Sequence, residues 1–240
     1  MAYNLNETFR SLCTEFETLV RSKYLIDTST VSAFNYLASL EEFAEYSEIL
    51  NTLREIRNAL VHTDFNVDGN VGLVVTDDGI NAIEEIIEKI KNPKLVSDVY
   101  SSNLKYCHLD DSVIDVLTMM AEYHYSHIPV LTSNNKIIGV FSENTIFSTL
   151  ANNGSISLDG NTKIRDFYQY IPIDQHTAEC FDFIGVNDKL YIAKDKFANP
   201  IINDKKLVAL FVTIDGKSDR KILGILTPWD VIKREIERKN

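Results

Sequence analysis

One supersecondary pattern occurs twice in this chain of 240 residues, and it restricts the fold more than any other feature of the sequence. The first copy extends from His127 to Leu150 and the second from Leu207 to Ile236. Each copy has an apolar strand, a polar turn, a second apolar strand that contains a glycine, a residue with a hydroxyl group, and a helix. Because one such unit cannot bury its apolar face alone, we expect the two copies to pack against each other. A cleft between two copies is a natural site for a small ligand.

Both copies have the spacing Gly-x-x-Ser/Thr, with Gly139 and Ser142 in the first and Gly224 and Thr227 in the second. In the second copy the hydroxyl residue begins the run Thr-Pro-Trp-Asp, which ends at Asp230. A threonine N-cap, a proline at the first helical position and a carboxylate at the third form a capping box. This run therefore predicts a helix start, whether or not it also binds a ligand.

The chain is acidic, and its charge is unevenly distributed around a net value of −11. Residues 1–92 contain 16 acidic and 7 basic side chains, whereas residues 93–240 contain 19 and 17. An acidic N-terminal part repels phosphate backbones. A general nucleic-acid binder is therefore disfavoured, and no binding to DNA is expected.

The sequence also indicates the compartment. No apolar run approaches the ~18 residues of a membrane-spanning helix, so no membrane association is expected. The N-terminus has neither the basic start nor the apolar core of a signal peptide. The three cysteines, Cys13, Cys107 and Cys180, lack the CxxC spacing of zinc sites. They are expected to be reduced thiols of a cytoplasmic protein that needs no metal.

The first 92 residues have helical periodicity and predict an α-helical bundle. Helices are expected over residues 5–23, from Thr28 or Ser29, over about 42–61 and over about 80–90, with a short β-like run at 71–76. Asn92 and Pro93 should end the last helix, because proline cannot continue helical hydrogen bonding.

From about residue 97 the pattern changes to β-α-β-β-α, and this order is repeated. Strands are expected at 105–109, 127–131, 136–141, 181–186, 207–214 and 221–226, and helices at 111–122, 143–150, 188–197 and from Pro228. The stretch 153–164 is rich in Gly, Ser and Asn, and it predicts a linker. The expected fold class is α+β, with a helical bundle followed by the repeated unit.

The repeated part resembles a tandem pair of CBS domains. The residues that carry the resemblance are Ile128-Pro129-Val130, Ile137-Ile138-Gly139-Val140-Phe141-Ser142, Ile222-Leu223-Gly224-Ile225-Leu226-Thr227 and Asp230. The first CBS motif would cover residues 97–152 and the second 165–240. The resemblance implies a compact α/β pair that binds an adenine nucleotide, S-adenosylmethionine or a cyclic dinucleotide, and that senses its ligand rather than converting it.

In that family, Ser/Thr-x-x-Asp at the start of the last helix is a ribose clamp. The resemblance therefore implies that the Thr227 hydroxyl and the Asp230 carboxylate bind ribose hydroxyls of AMP, ADP, ATP or a cyclic dinucleotide. The first copy keeps the hydroxyl of Ser142 but has no carboxylate three residues later, and it alone has a proline-marked strand. Further candidate ligand residues are His127, Ile128 and Pro129. One occupied site is expected, and a purely structural cap remains the alternative.

A second motif lies at the end of the third expected helix, where Arg57 and Asn58 precede His62. Arg-Asn-x-x-x-His within a helical bundle resembles the HEPN family, over about residues 5–92. In HEPN ribonucleases the motif implies metal-independent RNA cleavage, with Arg57 on a phosphate, His62 transferring a proton and Asn58 orienting either. The structural alternative is that His62 caps the helix and Arg57 pairs with a nearby glutamate.

Three functions follow from these patterns. The first is a regulatory protein that senses an adenine-type nucleotide through its CBS pair and transmits binding to the helical domain. The second is a nucleotide-regulated ribonuclease that uses Arg57 and His62, which makes RNA a candidate partner. The third is a dimerisation scaffold without a ligand. A homodimer is expected in each case.

Overall fold

The structure, a computed structural model, describes residues 2–27, 31–62, 66–67, 70–71, 73–202 and 204–236. At residues 2–4, 62, 66–67, 70–71, 202 and 233–236 it describes the backbone alone. The chain divides into two compact units, Met1–Lys94 and Leu95–Asn240, here called the first and second unit.

The first unit is a helical bundle. Its elements are α1 (Ala2–Tyr24), α2 (Ala33–Ala38), a 3-10 helix (Glu41–Tyr46), α3 (Ser47–His62), the short antiparallel strands β1 (Asn66–Val67) and β2 (Asn70–Val71), and α4 (Asp77–Lys91). The apolar stripes of the helices meet in one core that includes Phe9, Phe16, Phe34, Phe43, Leu50, Ile83 and Ile86. The Thr76 side chain caps α4, and α4 ends just before Asn92 and Pro93, as predicted.

In the first unit, one expectation lies outside the described residues and one differs from the structure. The second helix begins at Ala33, and the expected start at Thr28 or Ser29 lies outside the described residues. Within the β-like run 71–76, residues 73–76 form no strand. The Asn6 side chain donates to Leu73 O and accepts from Val75 N, and so takes the hydrogen bonds of a neighbouring strand.

The second unit contains the repeat. Its elements are α5 (Val113–Tyr123), β3 (His127–Leu131), β4 (Ile137–Ser142), α6 (Glu143–Asn153), β5 (Glu179–Gly185), α7 (Leu190–Ala198), β6 (Ile201–Ile202), β7 (Lys205–Thr213), β8 (Gly224–Leu226) and α8 (Pro228–Ile236), with 3-10 turns at Val96–Asp98, Ile164–Tyr170 and Ile173–Gln175. Strand β3 pairs with β4 antiparallel. Strand β7 pairs with β5 in parallel and with β6 and β8 antiparallel.

Counted with their preceding segments, as residues 97–152 and 165–240, the two copies pack against each other, as the repeat predicts. A buried cluster takes residues from both copies: Leu131, Val140, Phe181, Ala209, Phe211 and Ile222. Each copy also has its own core, in which Ile128, Val130 and Phe141 of the first correspond to Leu210, Val212 and Leu226 of the second. The apolar face of one copy is therefore covered by the other.

The predicted strand at 105–109 is reduced to a single parallel bridge between Cys107 and Val130. Cys107 N donates to Pro129 O and Leu131 N donates to Cys107 O. Continuing the ladder toward Lys105 needs a backbone donor from residue 129, and proline has none. The same Pro129 that marks the repeat therefore ends this strand.

In each copy, the strand that contains the repeated glycine is bridged by the N-terminal segment of the other copy. Ser101 forms a bridge with Ile225 in β8, and Pro172 forms one with Gly139 in β4. A Cβ atom on Gly139 would lie 1.9 Å from Ile171 O, and one on Gly224 would lie 2.2 Å from Ser101 O. The repeated glycines thus mark the two points where a crossing backbone comes closest.

Candidate functional site

In the second copy, Thr227 and Asp230 begin α8 with the expected capping geometry. Thr227 N and Thr227 Oγ1 both donate to Asp230 Oδ2, each at 2.7 Å. Both residues are partly exposed. Asp230 Oδ1 makes no hydrogen bond within the part of the chain that the structure describes. One carboxylate oxygen therefore holds the helix start while the other stays able to accept from a ligand.

In the first copy, the equivalent hydroxyl is fully buried. Ser142 has no exposed surface, and its backbone N–H donates to Thr145 Oγ1 at 3.0 Å. Its hydroxyl donates to Glu179 Oε1 at 2.7 Å. Thr145 and Glu179 thus each accept one of the two hydrogen bonds that Asp230 accepts alone in the second copy. The missing carboxylate of the first motif is supplied by the first strand of the other copy.

Glu179 is the centre of a buried polar cluster, although it carries a charge and is only 4% exposed. Asn144 Nδ2 donates to its Oε2 at 2.7 Å, and His127 Nε2 lies 2.9 Å from the same oxygen. His176 Nδ1 lies 3.0 Å from Oε1, which Ser142 also contacts. We call these five residues the Glu179 cluster. It joins β3, β4 and α6 of the first copy to β5 of the second.

The cluster holds Glu179 in its charged form. Burial raises the pKa of the Glu179 carboxyl, but hydrogen bonds from His127, His176 and Ser142 outweigh burial, and the net effect places its pKa below the ordinary 4.5. A buried carboxylate needs hydrogen-bond partners, and four polar groups contact this one.

The structure brings some of the predicted ligand residues together and separates others. His127 and Ser142 meet at Glu179. Ile128 and Pro129 are buried in β3, and Ile128 belongs to the apolar core of the first copy. Among the described residues, no hydrogen bond or ion pair joins this group to Thr227 or Asp230. The assignment of all these side chains to ligand binding stays a prediction.

Sequence reasoning missed Glu179, His176 and Asn144. The available signal was weak: an acidic residue at the start of an apolar strand, three positions after a histidine. Beside the cluster, and sharing Asn144 with it, lies an open cavity of about 430 Å³. Its lining carries no formal charge: Asn144, Phe147, Ser148, Ala151, Asn152, Gln169, Tyr170, Gln175, Thr177 and Ala178.

In the first unit, Arg57 lies on α3 and is engaged by neighbouring side chains. Its Nε lies 3.1 Å from Glu17 Oε1, and its Nη1 donates to Asn58 Oδ1 at 3.4 Å. This pairing with glutamate is the contact that the structural alternative predicts. The His62 side chain lies outside the described part, so catalysis by Arg57, Asn58 and His62 stays a prediction.

No helix in the described ranges is long and apolar enough to cross a membrane. Over the same residues, no group of three or more His, Cys, Asp or Glu side chains is arranged to hold a metal ion.

Residues 96–152, which include the first copy of the repeat, match the family model of the CBS domain. No curated protein matches the chain. Among solved structures, the CBS domain pair of protein MJ0100 in complex with 5′-methylthioadenosine and S-adenosyl-L-methionine is 17% identical, with 62% of this chain and 100% of that chain covered and a TM-score of 0.40. A putative acetoin utilization protein from Vibrio cholerae is 18% identical, with coverages of 62% and 94% and a TM-score of 0.45. The protein CBSX2 in complex with AMP is 18% identical, with coverages of 61% and 99% and a TM-score of 0.42.

Proposed function

We propose that the second unit is a CBS pair that senses one adenine-type nucleotide through Thr227 and Asp230. The observation that carries this proposal is a difference in burial between the starts of α6 and α8, each of which begins at a residue with a hydroxyl group. Ser142 is buried and bonded to Glu179, whereas Thr227 and Asp230 are partly exposed. The match of residues 96–152 to the CBS domain supports a regulatory binding role for the unit.

The chemistry at α8 suits a ribose. Asp230 Oδ1 is an acceptor that is not used within the described residues, and a ribose hydroxyl is a donor that can reach a partly exposed carboxylate. A hydrogen bond to a charged acceptor contributes about 1.5–3 kcal/mol. The adjacent Trp229 is 77% exposed, and it is the only tryptophan of the chain. Its ring provides a flat surface beside the site and a fluorescent reporter of ligand binding.

Replacing Asp230 with alanine is expected to weaken nucleotide binding by about 1.5–3 kcal/mol, or roughly ten- to hundred-fold, because the variant loses the charged acceptor. Titration of the full chain with AMP, ADP, ATP, cyclic dinucleotides and S-adenosylmethionine, followed by Trp229 fluorescence and calorimetry, measures this loss. Asp219→Ala, which removes an exposed carboxylate between β7 and β8, is the matched control and should bind as wild type does. Equal affinity in wild type and Asp230→Ala would remove the assignment to Asp230, and no binding of any of these ligands would leave the scaffold function standing.

We further propose that the protein is a homodimer in which nucleotide binding is transmitted to a HEPN-like first unit. Large apolar side chains are exposed on α6 and α8: Phe147, Leu150, Trp229 and Ile232. Such side chains on helices favour a protein partner, and a second copy of the chain is the commonest one. A ligand that prefers one dimer geometry would then shift the arrangement of the first units.

Sedimentation at micromolar concentration should give twice the chain mass of 27.3 kDa. Phe147 on α6 is 68% exposed, and Phe147→Glu places a charge there that should shift the protein toward the monomer. Lys217→Glu, at an exposed position between β7 and β8, should leave the dimer intact. A wild-type protein that sediments at 27.3 kDa under all conditions contradicts the homodimer.

A further inference from the structure

The Glu179 cluster has the composition of an occupied anion-binding site. Ser142, Asn144, His127 and His176 point polar atoms at one carboxylate, at distances of 2.7, 2.7, 2.9 and 3.0 Å. Each carboxylate oxygen receives two of these contacts. The site is built from buried or half-buried side chains of the first copy and of the loop before β5, and its occupant is a side chain of the same protein.

The acceptor capacity of this carboxylate is full. An ionised carboxylate offers about four lone-pair positions, and four polar groups fill them here. Asp230, the corresponding carboxylate of the second copy, uses only Oδ2 for the helix start. Glu179 therefore has no position left for a ligand hydroxyl, and its negative charge also repels a phosphate.

Displacing Glu179 is unfavourable as well. A ligand that took the Ser142 hydroxyl would leave part of a buried charge without its hydrogen bonds, which is strongly destabilising. The same movement would detach the start of β5, since Glu179 is its first residue.

We propose that Glu179 is a built-in ligand: its carboxylate occupies the first cleft, the space beside Ser142 and Asn144 at the start of α6, closes that cleft to external ligands, and joins the second copy to the first. The site itself is a carboxylate site. Small external carboxylates will bind there once the tethered carboxylate has been removed.

Glu179→Ala tests the site without any nucleotide. The substitution removes a CH₂–COO⁻ group, and acetate has the same size and charge. We expect the variant to unfold several degrees below wild type in chloride, and acetate at equal ionic strength to recover a substantial part of that loss. Butyrate is too long to fit and should recover less. Acetate should not raise the midpoint of wild type or of Asp215→Ala, a charge-matched control with a partly exposed carboxylate.

A second substitution assigns the rescue to this site. In Glu179→Ala with Ser142→Ala, the recovery by acetate should be smaller, because one of the four donors is gone. If Glu179→Ala does not fold in chloride, the yield of folded chain on refolding in acetate against chloride becomes the measurement. A midpoint or yield that responds to acetate no more than in wild type overturns the proposal.

The consequence for nucleotides rests on the proposed function. Wild type should bind one AMP per chain in equilibrium dialysis, whereas Glu179→Ala in chloride should bind a second, weaker AMP, since Ser142 becomes available. Unchanged stoichiometry in a variant that acetate rescues would overturn the closure of the cleft while leaving the carboxylate site intact. If wild type binds no AMP while acetate still rescues Glu179→Ala, the proposed function fails and the built-in ligand does not.

Discussion

Glu179→Ala should lower the free energy of unfolding of the second unit by about 2–6 kcal/mol, because it leaves two buried polar groups unpaired at a cost of about 1–3 kcal/mol each. The variant leaves Ser142, at zero exposure, and His176, at 4%, without the acceptor that both contact. Urea unfolding followed by circular dichroism measures the change. Glu122→Ala, which removes an exposed carboxylate at the end of α5, should change the free energy by less than about 0.5 kcal/mol. Equal effects of the two substitutions would show that the cluster contributes little.

The pH dependence identifies the carboxylate as the source of this stability. Because hydrogen bonds hold the folded pKa of Glu179 below its ordinary 4.5, the charged carboxylate contributes its full stabilisation above about that pH. The contribution decreases as the pH falls below 4.5 toward the folded pKa. The difference in unfolding free energy between wild type and Glu179→Gln should therefore shrink in acid. A difference that stays constant between neutral and acidic pH would assign the effect to packing.

Much of the second unit was predictable because its signals are local. Alternating apolar runs separated by a polar turn predict β3 and β4, and the hydroxyl residue before each final helix predicts the starts of α6 and α8. The helices of the first unit follow from their apolar stripes in the same way. The strand expected at 105–109 is reduced to one bridge, because Pro129 on the neighbouring strand has no backbone N–H to donate to it.

The polar cluster was not predictable, because its members meet only in the tertiary structure. His127, Ser142 and Asn144 come from one copy, and His176 and Glu179 lie more than thirty residues further along the chain. The sequence shows that the first motif lacks a carboxylate, because position 145 is Thr where the second copy has Asp230. That Glu179 replaces it from the other copy depends on the parallel pairing of β5 with β7, which no local pattern shows.

The repeated glycines, Gly139 and Gly224, are visible in the sequence. The reason that each position needs a glycine is a contact with a segment distant in the chain, which the sequence does not show. Gly139→Ala should destabilise the second unit by about 2–6 kcal/mol. The new Cβ would lie 1.9 Å from Ile171 O and 2.9 Å from Ile171 Cγ2, far inside contact distance. The segment at Ile171 would have to move away and break the 2.9 Å hydrogen bond from Val140 N. Overpacking of this kind costs about 1–3 kcal/mol, and a buried backbone group left unpaired costs about 1–3 more.

Gly160→Ala is the matched control, because nothing lies within 4 Å of the Cβ that it would add. Its free energy of unfolding should stay close to that of wild type or rise slightly, since alanine restricts the unfolded chain. Gly224→Ala should behave like Gly139→Ala, because its Cβ would lie 2.2 Å from Ser101 O. Urea unfolding of the three variants gives the comparison. If Gly139→Ala and Gly160→Ala unfold at the same urea concentration, the segment at Ile171 does not pack against Gly139 as closely as described. If only the two repeated glycines are sensitive, the spacing Gly-x-x-Ser/Thr reports how the copies are joined.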